Sequence, residues 1–135
     1  MMEGVKSPYH AIDEFVMKHI KPVLIQELDN KESIHLYSIG EYWRAFDKSA
    51  YALSLILPDS EWTLLTVRDY PFPVLMVSAH YEVINRLLFT KVVAKRDPDY
   101  IHLITKPIDR EAYRKWRDEI LDDIEDWDEE DDEEL

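Results

Sequence analysis

Residues 34–57 read IHLYSIGEYWRAFDKSAYALSLIL, and the fold turns on them. Ile34, Leu36 and Ser38 alternate with His35, Tyr37 and Ile39, a short apolar run of strand character. Gly40 follows, one of two glycines in the chain and the one that falls within a structured stretch. Lacking a Cβ, it allows a turn that other residues resist. Beyond it Tyr42, Phe46, Ser49/Ala50, Leu53 and Ile56/Leu57 recur at intervals of three and four. That spacing predicts a helix whose first turn carries Tyr42-Trp43-Arg44. Aromatic residues at helical spacing usually belong to a core, so Trp43 and Phe46 are expected inside. Tyr42 and Arg44 lie off the Phe46-Ala50-Leu53 face or at its edge.

Upstream, Ser7-Pro8 has the form of a helix start, and Ile12, Phe15, Val16, His19, Ile20, Val23 and Leu24 follow one face. Pro22 falls within that face and is expected to kink or divide the helix. Asp29-Asn30-Lys31 then leads into a strand at 33–39. Downstream of a turn at Pro58-Asp59-Ser60, residues 62–67 and 74–78 read as strands that pair across Asp69-Tyr70-Pro71-Phe72-Pro73. A helix over 80–90 uses Val83, Ile84, Leu87 and Leu88. Strands at 92–95 and 100–105 meet at Arg96-Asp97-Pro98-Asp99, a strong turn sequence. Pro107-Ile108-Asp109 opens the last helix, with Asp109 as its N-cap, and the stripe of that helix is Tyr113, Trp116, Ile120, Ile124 and Trp127. Short strands joined alternately by hairpins and helices define an α+β domain. The expectation is a single mixed β-sheet of four to six strands with three or four packed helices and an acidic C-terminal helix or tail.

A chain of 135 residues suits one domain with a real core. It has no cysteine, no apolar signal-peptide core in MMEGVKSPYH and no run approaching a membrane span, so a soluble, cytoplasmic protein is expected. The net charge of −13 is unevenly placed. Residues 1–117 hold all 16 Lys+Arg and 16 of the 29 Asp+Glu, while the other 13 acids lie in 118–135, where there is no base. A neutral body (1–117) thus carries an acidic extension (118–135), ordered to about residue 127 where the apolar stripe ends. Neither part has the basic bias of an autonomous nucleic-acid binder.

No phosphate-binding loop, nucleophile elbow or catalytic pair is present, and two glycines cannot build a phosphate cradle. Histidines 10, 19, 35, 80 and 102 show no H-x-x-x-H spacing that would converge on a metal, and the tail lacks the glycine and spaced ligands of a calcium loop. The residues therefore read as a non-enzymatic chain with no cofactor and no metal.

The motif Gly40-Glu41-Tyr42-Trp43-Arg44-Ala45-Phe46-Asp47-Lys48-Ser49-Ala50 resembles the first, mismatch-recognition domain of MutS-type DNA mismatch repair proteins. The family pattern is roughly G-[DE]-F-Y-E-x-[FY]-x-x-D-A, preceded by an amphipathic helix and a strand. The resemblance covers about residues 8–105. At Ala79-His80-Tyr81 the family's proline-histidine helix opening lacks its proline. The resemblance implies that the first aromatic wedges beside a mispaired base and that the acid two residues on hydrogen-bonds it. Those roles fall on Tyr42 and Arg44, where tyrosine stands for phenylalanine and arginine for glutamate.

Two functions are therefore expected. The first is a stand-alone MutS domain I-like protein that binds mismatched or distorted duplex DNA through Tyr42, Arg44 and Gly40. It would bind weakly, because unstacking a base step is costly and neither clamp nor ATPase fits in this chain. The second is a non-enzymatic protein-interaction module. Its acidic C-terminal helix, through Trp116, Ile120, Ile124 and Trp127, contacts a basic protein partner or imitates nucleic acid.

Overall fold

The computed structural model describes residues 8–134, with side chains described for residues 10–123. Four helices and six strands alternate in the order α1 (Pro8–Leu28), β1 (Ser33–Ile39), β2 (Tyr42–Phe46), α2 (Asp47–Ile56), β3 (Glu61–Leu65), β4 (Val74–His80), α3 (Tyr81–Leu87), β5 (Val92–Asp97), β6 (Tyr100–Ile104) and α4 (Arg110–Glu134). The fold is α+β, with one sheet in the order β3-β4-β2-β1-β6-β5.

Every neighbouring pair in that sheet is antiparallel, so the sheet is not mixed. The reason lies in the hairpin of β3 and β4. It inserts β4 between β2 and β3, so the two parallel strands joined by α2 never touch. The β5–β6 hairpin, by contrast, forms where the turn sequence placed it.

The largest departure from the sequence reading is at the central motif. Tyr42-Trp43-Arg44 is not a helix start but the beginning of strand β2. Gly40 and Glu41 alone form the turn, because Ile39 pairs with Tyr42. Gly40 has φ of 66°, the glycine requirement of a tight type II′ hairpin. Side chains of β2 then alternate in the strand manner. Trp43 and Ala45 join the core on one face, whereas Phe46 joins the core on the other. The helix begins only at Asp47, which adopts a left-handed φ of 49° that aspartate tolerates better than most residues.

Helix α1 covers one face of the sheet, where Ile12, Ile20, Val23 and Leu24 meet Ile39, Phe46, Val74 and Met76. Helices α2, α3 and α4 cover the other. There Leu53, Ile84 and Trp116 pack over Ile34, Leu36, Trp43, Val77, Ile101 and Leu103. Pro22 neither divides α1 nor lies on its buried face. Being exposed, it frees the carbonyl of residue 18 on the solvent side, where water can bond it. The Ser7 cap proposed for this helix lies outside the described residues.

Asp109 caps α4 through Oδ1, which accepts from the backbone N–H of Glu111 (2.9 Å) and Ala112 (3.1 Å). The helix docks by Trp116, whose ring lies 5.4 Å from that of Tyr51, and by Ile120, only 8% exposed. It continues to Glu134, past Trp127. The side chains of Ile124 and Trp127 lie outside the described residues.

Replacing Ile120 by Asp buries an unpaired charge in this contact. We expect a loss of about 2–4 kcal/mol of domain stability, measured by denaturant unfolding. An unchanged midpoint would mean that α4 is not docked in solution.

Candidate functional site at the two ends of the central strand pair

Strands β2 and β4 run side by side with Tyr42 opposite His80 and Phe46 opposite Met76, and a polar cleft lies at each end. At the hairpin end, Tyr42 and Arg44 are two residues apart on one strand and so share a face. The structure places Gly40, Tyr42 and Arg44 close together but exposes Tyr42 and Arg44 unequally. Tyr42 is 41% exposed and Arg44 only 8%.

Arg44 is held by its neighbours. Its Nε donates to the Ile39 carbonyl (3.1 Å), its Nη1 donates to Ser78 Oγ (2.8 Å), and its guanidinium lies 5.2 Å from the centre of the Tyr42 ring. Burial pulls the Arg44 pKa below its usual value, and Tyr42 and Tyr81 push it back up. No carboxylate lies within ion-pairing distance of Arg44 among the described residues. A cavity of about 660 Å³ opens beside it, lined by Tyr42, Arg44, Leu57, Glu61, Ser78 and His80 among others. The charged residues at its rim, Asp59 and Glu61, are acidic and exposed.

The other end is built around a group that the sequence reading missed. The β1–β2 ladder stops at Tyr37 and Arg44, after which β1 pairs only with β6. The backbone N–H of His35 therefore lacks a partner on β2, and it donates instead to Ser49 Oγ at 3.0 Å. Ser49 Oγ donates to Glu27 Oε2 (2.7 Å), and Glu27 Oε1 accepts from the Ser49 backbone N–H (2.8 Å) and Asn30 Nδ2 (3.0 Å). Asn30 in turn pairs with both backbone groups of Ser33.

Glu27 is 2% exposed, and no cationic side chain pairs with it among the described residues. Burial raises its pKa to about 7 against the pull of Ser49 and Asn30. One signal was available: Glu27 continues the buried stripe of α1, four residues after Val23 and three after Leu24. An acid at a core position is a candidate for a satisfied polar network.

Glu27 borders a cleft of about 330 Å³ that also gathers Asp47, Lys48, Tyr113, Arg114 and Arg117. Burial raises Asp47 to about 6, opposed by Arg117 and by the backbone N–H of Leu75, and it lifts Tyr113 above its usual range. Arg117 Nη2 donates to the Pro73 carbonyl at 3.4 Å and lies over the Phe72 ring. These residues come from separate segments of the chain, so no linear motif marks them. Among the described residues, no group of three or more His, Asp or Glu converges as a metal site, and no helix is long and apolar enough to cross a membrane.

Comparison with family models, curated proteins and solved structures finds no match to this chain.

Glu27 makes stability depend on pH. Its folded pKa lies above the ordinary 4.5, so its contribution is fully present below pH 4.5 and is lost as pH rises to about 7. The loss is on the order of 3 kcal/mol. Asp47 acts in the same direction between its ordinary 3.8 and about 6. Thermal melts from pH 4.5 to 8 should therefore fall more steeply for the wild type than for Glu27→Gln, which cannot ionise. Parallel curves would mean that Glu27 is already ionised at low pH in the folded protein.

Proposed function

We propose that this chain is a non-enzymatic interaction module, suited to the cytoplasm, whose acidic C-terminal helix engages a basic protein partner by imitating a nucleic-acid strand. One observation carries the reading: α4 is fixed to the body at Trp116 and Ile120, and the acids described around and after Ile120 stand without counter-charges among the described residues. Asp118, Glu119, Asp122 and Asp123 are exposed, and none of them forms an ion pair among the described residues.

The charge order along α4 adds support. Arg110, Arg114, Lys115 and Arg117 sit in its first two turns, and only acids follow among its charged residues. This is the reverse of what the helix dipole favours. Such an arrangement is unfavourable for the isolated helix and favourable once a basic partner neutralises the distal end. A helix of this length spans about 37 Å, a reach comparable to a stretch of duplex carrying many phosphates.

The reading as a diverged MutS-type mismatch-recognition domain keeps one specific support. The Gly40-Glu41 hairpin presents Tyr42 half-exposed, where its ring can stack on a base. The surroundings weigh against it. Arg44 is withdrawn into bonds with Ile39 and Ser78, and Glu41, Asp59 and Glu61 place negative charge where phosphates would pass.

A variant with Asp128, Glu129, Glu130, Asp131, Asp132, Glu133 and Glu134 changed to amides leaves Trp116 and Ile120 intact and separates the two readings. Full-length protein should bind a lysine-rich peptide at low salt, with affinity falling about tenfold on neutralisation and again at high salt. Neither protein should shift a matched or mismatched duplex. Selective binding of a mismatched duplex by the neutralised variant would overturn the first reading in favour of the second. Unchanged peptide binding would remove the acids from Asp128 onward from the mechanism.

A further inference from the structure

We propose that the cavity at the hairpin end binds a small carboxylate with an apolar body, its carboxylate held by Arg44 and Ser78 and its body lying in the rest of the cavity, which Tyr42, Leu57 and Val83 line. The site is separate from α4, and its fate does not bear on the acidic helix.

Arg44 leaves donors unused. A guanidinium has five N–H groups in a planar fork. Arg44 commits one on Nε and one on Nη1 to the protein, and among the described residues Nη2 has no hydrogen-bond partner. No buried side-chain nitrogen or oxygen is left unsatisfied among them, so Nη2, which lies on the Gly40 side, is not sealed in the core, and Arg44 lines the cavity. A cation this far buried, with no acid within ion-pairing distance, lacks the anion that usually accompanies it. The fork shape of the guanidinium selects a planar two-oxygen partner.

Ser78 supplies a second donor. Its Oγ accepts from Arg44 Nη1, which leaves its own hydrogen free to point at the same anion. The rest of the lining includes the Tyr42 ring and, beyond the open edge of β4, apolar Ile56, Leu57 and Val83. A volume of about 660 Å³ falls in the usual range for a small-molecule site, which couples a few convergent polar groups to apolar walls.

The rim decides between anions. Asp59 and Glu61 face the same cavity. Like-charge repulsion from them is greater for a phosphate dianion than for a single carboxylate, so the carboxylate is favoured. A ligand carrying an ammonium group near its carboxylate would gain from the same two acids.

The test is an amide chemical-shift titration of the full chain in low-salt buffer with four probes: 3-phenylpropionate, its neutral amide, phenyl phosphate and inorganic phosphate. 3-Phenylpropionate should saturate shifts at Tyr42–Arg44 and Ser78–His80 below about 10 mM. The amide and both phosphates should bind at least about tenfold more weakly. Ser78→Ala should weaken the carboxylate severalfold, and Arg44→Gln should abolish it. Should Arg44→Gln fail to fold, Glu61→Lys serves in its place. It lies on an exposed edge strand, and it should tighten 3-phenylpropionate and narrow the gap to phenyl phosphate. Absence of shifts at these residues, equal binding of the neutral amide, or tighter binding of either phosphate would each overturn the proposal.

Discussion

The structure hangs on the bond between the Glu27 carboxyl and Ser49. It sits where β1 and β2 separate, a place where a sheet would otherwise leave a backbone N–H unpaired inside the protein. Ser49 satisfies that group, Glu27 holds Ser49, and Asn30 holds both while closing the turn after α1. Three elements, α1, β1 and α2, are thereby locked together across the sheet by one polar cluster. The cluster contains no cation, so burial raises the pKa of the carboxyl to about 7. A fully satisfied network of this kind specifies one arrangement, because any slip strands several buried polar groups at once.

The other end of the same strands is held in a comparable way from two sides. The Tyr81 hydroxyl, on the face of α3, donates to the Gly40 carbonyl at 3.1 Å, and Arg44, on the face of α1, donates to the Ile39 carbonyl. A two-residue turn between them leaves little freedom, and the strand register follows. Holding the turn draws Arg44 inwards and leaves Tyr42 at the surface. The motif that looked like a paired reading head is thus divided into one structural residue and one exposed ring, with a polar cavity between them and β3.

Charge is sorted on a larger scale. The body is balanced, and its basic side chains at the start of α4 gather around Asp47 and Glu27. The acids begin one residue past Arg117, on the part of the helix that Trp116 and Ile120 still anchor. The proposed reading rests on this sorting, because a rigid base with a single-signed arm would attract a basic surface and repel phosphates. The same geometry keeps the arm from simply folding back, since the anchored turns fix its direction.

The class and most of the elements were legible in the chain: α1, the two hairpin-forming strand pairs after α2, the Asp109 cap and the apolar stripe of α4. Each rests on interactions among neighbouring residues, whose periodicity and turn chemistry are local. The sequence also placed Gly40 at a turn and Trp43 and Phe46 in the core. What it misread was β2. The interval of three and four from Tyr42 to Ala50 and Leu53 spans a strand and then a helix, and a five-residue strand buried on both faces has no polar alternation to betray it. Long-range packing alone sets Phe46 and Leu53 towards opposite cores, buries Arg44 and brings Glu27 to Ser49. Those facts depend on which strands lie side by side, and contacts between residues some twenty to forty positions apart leave no period in the chain.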